Sequence, residues 1–358
     1  MSLFAAGCGD EGSVAGPKAN GQAPETPSSG EASATGPAAA PAAAPAQAPS
    51  RLFVVGGDEG FGATKSVMSA ELEADGSLGE LRAEADLPAA RAYGSAVLSN
   101  HSLVVIGGED ETGRADERIF ASAPTEDNLA QNWRDVGVLD HPASSAAIAS
   151  NGVDVMVLGG ELTGETTRLL DGATKLFLDS GVERSVTRVA PLPSARARFG
   201  AVRVGGNVFA VGGETDAGPV SDVLFGRIAA DKGTVESWAT THPFAHPVVD
   251  HALVASGDSL YAIGGSTGDA IEDEVRFAHV FDAGYLSEWF ATSRLPSPRY
   301  AHCAAVSGSH IFVVGGMSAD RPIDEILETT AHLDGSVEPW RVVGHLPAGR
   351  AHMGCVVR

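Results

Sequence analysis

Six times along the chain, a short apolar run ends in a pair of glycines. The first glycines of the six pairs are Gly56, Gly107, Gly159, Gly212, Gly264 and Gly315. Successive pairs are separated by 51, 52, 53, 52 and 51 residues. A period this regular indicates an internal repeat, so the chain is predicted to fold as one structural unit built six times.

An arginine and a tryptophan recur in register with the glycine pairs. The pattern Leu-Pro-x-x-Arg ends at Arg91, Arg196, Arg299 and Arg350, and each of the first three precedes the next glycine pair by 16 residues. Degenerate copies of this site fall at Ala143 and Val248. The four tryptophans are Trp133, Trp238, Trp289 and Trp340. We expect them to pack between repeats and not to form a stacking platform for a ligand.

This combination of residues resembles the Kelch repeat, from Arg51 to Arg358. The resemblance implies four strands per repeat, arranged radially as the blades of a propeller. The composition agrees, because 44 glycines, 20 prolines and only 6% aromatic residues are typical of short strands joined by many turns. The predicted fold class is therefore all-β, a six-bladed Kelch-type β-propeller of four-stranded blades in residues 51–358.

The order of the repeats predicts how the ring closes. Residues 51–57 form the second strand of a blade with no first strand before it. The chain ends, in turn, with a first strand that has no second strand after it. The C-terminal strand, His352 to Val357, is therefore predicted to join the first blade by pairing with Leu52 to Val55.

The segment before the repeats has a different composition. Residues 9–50 are rich in Ala, Pro, Gly and Ser without apolar periodicity, which predicts a disordered linker. Residues 1–8 end in Ala-Ala-Gly-Cys at Cys8, which resembles the lipobox of bacterial lipoproteins. This resemblance implies membrane anchoring through a lipidated Cys8 and a location in the bacterial cell envelope, as a periplasmic or surface lipoprotein. A signal peptide needs a longer apolar stretch than these residues supply, so an incidental free cysteine is the alternative.

Charge and motifs narrow the range of functions. The chain has 24 Lys and Arg against 46 Asp and Glu, a net charge of −22, which disfavours nucleic acid and anionic lipid as main partners. No HExxH, His-x-His or paired-cysteine spacing marks a metal site, and no Gly-x-Ser-x-Gly sequence marks a hydrolase. We expect neither a metal nor a cofactor, and we expect a monomer.

Candidate site residues cluster just after the repeated arginine. If the Kelch geometry holds, residues two positions past that site line the mouth of the central channel: Tyr93, Ser145, Arg198, Asp250, Ala301 and His352. Residues three positions past it are Gly94, Ala146, Phe199, His251, His302 and Met353. Acidic residues follow four of the glycine pairs and predict a collar on the same face: Asp58, Glu59, Glu109, Asp110, Glu111, Glu161 and Glu214. The collar would attract a cation, or serve only as a solvated rim.

These positions favour a binding function over catalysis. The ligand-binding candidates are Tyr93, Arg198, Asp250, His302, His352, Glu109, Glu161 and Glu214. The predicted function is a non-catalytic propeller that binds a protein or glycan on the face carrying the loops between blades and those after the glycine pairs. One alternative is a sugar-modifying enzyme of the sialic acid mutarotase kind, with Arg198, Asp250, His251 and His352 as catalytic candidates. Another is a structural scaffold in an envelope complex.

Two cysteines lie in the predicted propeller. Cys303 and Cys355 stand four and five residues after their respective arginines, on the first strands of neighbouring blades. Alternation along a strand then points them to opposite sides. They are predicted to be buried free thiols and not a disulfide.

Overall fold

The computed structural model describes residues 50–123, 130–179, 182–281 and 284–358. Within these ranges the chain consists of strands, turns and irregular segments. No helix of the described part is long and apolar enough to cross a membrane. The predicted linker, apart from Ser50, and the predicted lipidation site Cys8 lie outside the described residues.

The strands are short and follow one another in a repeated order. The first half of the chain contains β1 (Arg51–Val55), β2 (Val67–Glu71), β3 (Arg82–Ala83), β4 (Ser95–Ser99), β5 (Ser102–Ile106), β6 (Arg118–Ala121), β7 (Arg134–Val138), β8 (Ala147–Ser150), β9 (Asp154–Leu158), β10 (Glu161–Leu162), β11 (Arg168–Leu169), β12 (Ala173–Asp179) and β13 (Val182–Arg188). The second half contains β14 (Gly200–Val204), β15 (Asn207–Val211), β16 (Glu214–Thr215), β17 (Gly218–Pro219), β18 (Val223–Ile228), β19 (Val235–Thr240), β20 (Ala252–Ser256), β21 (Ser259–Ile263), β22 (Val275–His279), β23 (Phe290–Ala291), β24 (Cys303–Ser307), β25 (His310–Val314), β26 (Glu325–Thr330), β27 (Arg341–His345) and β28 (Gly354–Val357).

The described strands form six four-stranded antiparallel sheets. Blade 1 is β28-β1-β2-β3, blade 2 is β4 to β7, blade 3 is β8-β9-β12-β13, blade 4 is β14-β15-β18-β19, blade 5 is β20 to β23 and blade 6 is β24 to β27. The pairs β10-β11 and β16-β17 are small hairpins in the loops of blades 3 and 4. The first strand of each blade contacts the first strands of both neighbouring blades, so these six strands surround a central axis. The predicted six-bladed β-propeller is confirmed.

The ring closes as the repeat order predicts. Strand β28 pairs antiparallel with β1, with Leu52 opposite Val357 and Val55 opposite Gly354. The C-terminal strand is thereby the innermost strand of blade 1. The two ends of the propeller sequence are held in the same sheet.

The hydrophobic core lies between the blades. One cluster, for example, joins Val104 of blade 2 to Val155 of blade 3, and both are fully buried. The tryptophans bridge blades as predicted, because the indole N–H of each donates to a carbonyl of the preceding blade. The acceptors are Ala85 at 2.9 Å, Ala190 at 2.9 Å, His242 at 3.4 Å and Ser293 at 3.0 Å.

The glycine pair and the repeated arginine form one junction, which explains their fixed spacing. Gly56 has a φ of +60°, and a Cβ added there would lie 2.4 Å from the Arg91 carbonyl oxygen of the next blade. The repeated arginines are almost fully buried. The guanidinium of Arg299, for example, donates to the carbonyl of Gly315 at 3.2 Å and pairs with Glu325 at 2.7 Å. A residue larger than glycine does not fit this junction.

The prediction for Cys303 and Cys355 is wrong, because the two residues form a disulfide with a Cα–Cα distance of 5.8 Å. Their side chains do leave opposite sides of their strands. Neighbouring blades, however, pack with the front of one sheet against the back of the next. A side chain on one side of β24 therefore meets a side chain on the opposite side of β28. The same register recurs elsewhere, since a Cβ added at Gly200 would lie 2.3 Å from the Leu253 Cβ of the next blade. The disulfide links blade 6 to the C-terminal strand in blade 1.

Candidate functional site

A ring of six residues forms the mouth of the channel. The residues two positions past the arginine site all have left-handed backbone conformations: Tyr93 (φ 56°), Ser145 (50°), Arg198 (58°), Asp250 (52°), Ala301 (53°) and His352 (52°). The backbone N–H of each donates to the carbonyl of the equivalent residue in the preceding blade, at 2.8 to 3.2 Å. The last bond, from Tyr93 to His352, closes the circle. The blades thus fix the backbone of the mouth whatever side chains it carries.

The side chains at and below this ring surround one cavity. Its volume is about 520 Å³, including the part open to solvent. Six of the predicted site residues line it: Tyr93, Arg198, Asp250, His251, His302 and His352. Ser145, Phe199 and Met353 complete much of the wall. Residues that lie more than 250 positions apart in the chain are therefore brought together.

Arg198 is held by two carboxylates on the rim. Its Nη1 donates to Glu214 at 3.0 Å, and its Nε and Nη2 face Glu161 at 3.4 and 3.3 Å. Glu161 is only 3% exposed and also accepts a hydrogen bond from the Ser145 hydroxyl at 3.0 Å. A buried carboxylate beside a guanidinium is a structural ion pair and not a solvated rim.

Asp250 has a different environment. Its half-buried carboxyl accepts no hydrogen bond from the described residues. Burial, reinforced by Glu161 and Glu214, raises its pKa to about 7, although Arg198 acts in the opposite direction. At neutral pH this group both accepts and releases a proton.

The rings of Tyr93 and His352 stack at the mouth, with centroids 3.7 Å apart and planes inclined by 25°. Burial, together with the carboxylates of Glu109, Asp250 and Asp58, raises the pKa of Tyr93 to about 12. Burial lowers the pKa of His352 to about 4. Both side chains are therefore neutral at pH 7 and offer polar atoms without charge.

The two histidines below the ring are buried and neutral. Burial lowers the pKa of His251 to about 4 and that of His302 to about 3. Neither nitrogen of His251 has a hydrogen-bond partner among the described residues, and its side chain is 7% exposed. An imidazole in this state is a poor general acid at neutral pH.

The remaining acidic residues of the predicted collar differ in their surroundings. Asp58 and Asp110 accept backbone N–H bonds within their own loops, at Gly60 and Thr112. Glu59 pairs with the buried Arg350. Burial raises the pKa of Glu109. No group of three or more described His, Cys, Asp or Glu side chains is placed to hold a metal ion.

The sequence offsets locate the ring positions, but not their partners. The ion pair of Arg198 with Glu161 joins residues 37 apart from neighbouring blades, and only the three-dimensional arrangement shows it. The residue types at the ring positions do not indicate the closed circle of backbone hydrogen bonds, because all six types are different.

These features define a closed six-bladed β-propeller with one polar cavity at the mouth of its channel. No protein-family model matches the chain. Kelch-like protein 26 of Danio rerio is 26% identical over 170 residues, which are 47% of this chain and 26% of that protein. Kelch-like protein 25 of Xenopus tropicalis is 23% identical over 267 residues, 72% of this chain and 41% of that protein. In its repeats and in its fold, the chain is similar to Kelch-repeat propellers.

Two further similarities are shorter or concern the fold alone. The human Rab9 effector protein with kelch motifs is 34% identical over 97 residues, 25% of this chain and 26% of that protein. A solved structure described as "Structure of YjhT" matches with a TM-score of 0.63 and 13% identity, over 80% of this chain and 96% of that one. The matched regions span only 26% to 41% of the length of the three curated relatives.

Proposed function

We propose that this protein is a non-catalytic binding propeller that takes a protein or glycan ligand at the channel mouth. The observation that carries the proposal is the convergence of Tyr93, Arg198, Asp250 and His352 in one cavity. Their backbones are fixed by the closed hydrogen-bonded ring, so little conformational freedom remains to be lost on binding. One matched relative is named as an effector of another protein, which supports a protein ligand.

The mouth can be tested by filling it. Ala301 lines the cavity, and its left-handed backbone already carries tyrosine in blade 2, so Ala301→Tyr should fold while occupying the space. Peptide and glycan arrays probed with the full chain should give ligands that Ala301→Tyr no longer binds. Ligands that bind both proteins equally would overturn the proposal, provided the variant melts at a temperature like that of the wild type.

We also propose display at the bacterial cell envelope, anchored through Cys8. The Cys303–Cys355 disulfide supports this location, because disulfides persist in oxidising compartments. The full chain expressed in bacteria should enter the membrane fraction and incorporate labelled palmitate, whereas Cys8→Ser should do neither. Equal fractionation of both proteins would contradict the anchor.

A sugar-modifying activity of the mutarotase kind is a second candidate, and the titration of Asp250 near pH 7 favours it. Exchange between sialic acid anomers, followed by NMR, should then be faster with the wild type than with Asp250→Asn. Equal exchange rates with and without protein would exclude this candidate.

A further inference from the structure

The charges around the cavity are unbalanced. Among the described residues whose charges act on Tyr93 or Asp250, the carboxyl groups of Asp58, Glu109, Glu161, Glu214 and Asp250 face a single guanidinium, that of Arg198. Burial is the main cause of the raised pKa of Tyr93 and of Asp250, and the neighbouring carboxylates raise both pKa values further. The mouth is therefore electronegative despite its arginine.

Arg198 already has two carboxylate partners. Three of its nitrogens face Glu161 and Glu214, at 3.0 to 3.4 Å. The guanidinium keeps N–H groups beyond these contacts, but an incoming carboxylate would compete with Glu161 and Glu214 for the same cation. For Glu161, which is 3% exposed, weakening of that ion pair is costly.

The six backbone N–H groups of the ring are not free to bind an anion. Each donates to the carbonyl of the equivalent residue in the preceding blade, at 2.8 to 3.2 Å. Binding of anions by backbone depends on such free N–H groups. The ring lacks the feature that would favour a phosphate, a sulfate or a carboxylate.

Two groups that line the cavity, by contrast, have unused capacity to accept hydrogen bonds. The carboxyl of Asp250 receives no hydrogen bond from the described residues. The adjacent His251 lines the same cavity, is 7% exposed, and has no hydrogen-bond partner on either ring nitrogen in the described part of the chain. A neutral imidazole has one acceptor nitrogen, so both groups suit a donor-rich ligand.

We propose that the channel mouth binds a guanidinium or ammonium group, with the Asp250 carboxylate as its counter-ion. This inference rests on the proposed function and names the chemical class of its ligand. The stacked rings of Tyr93 and His352 line the same cavity and present aromatic surface, which also attracts cations. The group can belong to an arginine or lysine side chain of a protein partner, or to a free amine.

The test compares probes that differ in charge. The full chain is titrated, with NMR detection, with Nα-acetyl-L-arginine amide and with its neutral isostere Nα-acetyl-L-citrulline amide. The arginine probe should bind at least tenfold more tightly. A third probe, agmatine, distinguishes a free amine ligand from a protein side chain. A site for free amines should bind agmatine more tightly than Nα-acetyl-L-arginine amide, and a site for a protein side chain should show the reverse order.

A matched pair of variants assigns the site. Asp250→Asn keeps the shape and suits the left-handed backbone, and it should weaken the arginine probe at least tenfold. Asp269→Asn makes the same charge change on an exposed loop of the same blade and should leave binding within twofold. Equal weakening by both variants would overturn the assignment to Asp250.

The pH dependence gives an independent check. The groups that act on Asp250 are Arg198, Glu161 and Glu214, and its pKa of about 7 makes its ionised fraction rise from about 0.1 at pH 6 to about 0.9 at pH 8. Affinity for the arginine probe should rise about tenfold over this interval. A flat profile would contradict a counter-ion role for Asp250.

Failure of this inference is distinguishable from failure of the proposed function. If N-acetylneuraminic acid binds, and Ala301→Tyr and Arg198→Gln both abolish its binding, the mouth binds a ligand but of the opposite charge. If array ligands and all probes are insensitive to Ala301→Tyr, the mouth is not the binding site at all.

Discussion

At the scale of single residues, buried charge holds the propeller together at its blade junctions. Arg91, Arg196, Arg299 and Arg350 are each at most 3% exposed and each pairs with a carboxylate. Such a pair adds little over an apolar pair of the same shape, but removing one partner leaves the other without compensation. The repeated arginine therefore acts in folding, whereas Arg198, two positions on from one of them, faces the cavity.

Replacing one buried arginine should destabilise the protein. Arg299→Met leaves the buried Gly315 carbonyl without its donor and removes the partner of Glu325, which is 33% exposed, so we expect a loss of about 1 to 3 kcal/mol in the free energy of unfolding. Urea denaturation measures it. Arg294→Met is the control, because Arg294 is 59% exposed and its pair with Asp273 should contribute about 1 kcal/mol or less. Similar losses for both variants would contradict this account.

Asp250 should make stability depend on pH. Its pKa is about 7 in the folded state against 3.8 in the reference state, so the folded protein binds this proton more tightly, and stability falls as pH rises from about 4 to 7. Asp250→Asn should therefore be more stable than the wild type at pH 8, by roughly 4 kcal/mol, and should lose nearly all of that advantage at pH 4. Thermal melts of both proteins at the two pH values measure it. An advantage that is independent of pH would argue against a raised pKa.

At the scale of elements, β28 has the most demanding position. It is the innermost strand of blade 1, it pairs with β1, and its Cys355 is bonded to blade 6. The core cluster between blades 6 and 1 also includes Met353, just before this strand. One short strand thus supports two blades.

Deletion of the last ten residues should abolish folding of the whole ring. The deletion exposes one edge of β1 and removes one face of the interface with blade 6. The remaining blades are therefore not expected to stay folded as a shortened ring. Circular dichroism and size-exclusion chromatography of the truncated chain test this expectation. A compact, cooperatively melting product would show that five complete blades hold together without closure.

The disulfide should contribute stability that reduction removes. Cys303 and Cys355 are 52 residues apart in the chain, and closing a loop of this size is worth about 4 kcal/mol in the chain-entropy account. The melting temperature should fall in the presence of a reductant. The Cys303→Ser/Cys355→Ser double variant should melt at the lower temperature in both conditions. If reductant destabilises this variant equally, the effect does not arise from the disulfide.

At the scale of the whole molecule, the sequence repeat was enough to predict the fold. For the site it predicted only the positions of the residues and not their contacts. Gly-Gly spacing and the Leu-Pro-x-x-Arg offset located the blades, the closing strand and the six ring positions. The disulfide was missed because strand alternation describes one blade, whereas facing surfaces of two stacked blades decide which side chains meet. The neutralisation of Arg198 was missed for the same reason, since Glu161 reaches it from the preceding blade.

The disulfide between Cys303 and Cys355 also determines the outcome of proteolytic cleavage in blade 6. The loop that it closes contains nearly all of blade 6, including the turn that presents Leu333 fully to solvent. A protease that cuts this turn separates the polypeptide into two pieces, but those pieces stay covalently joined. The nicked molecule should migrate as one band on a denaturing gel without reductant and as two bands with it, while the ring that holds the cavity remains whole.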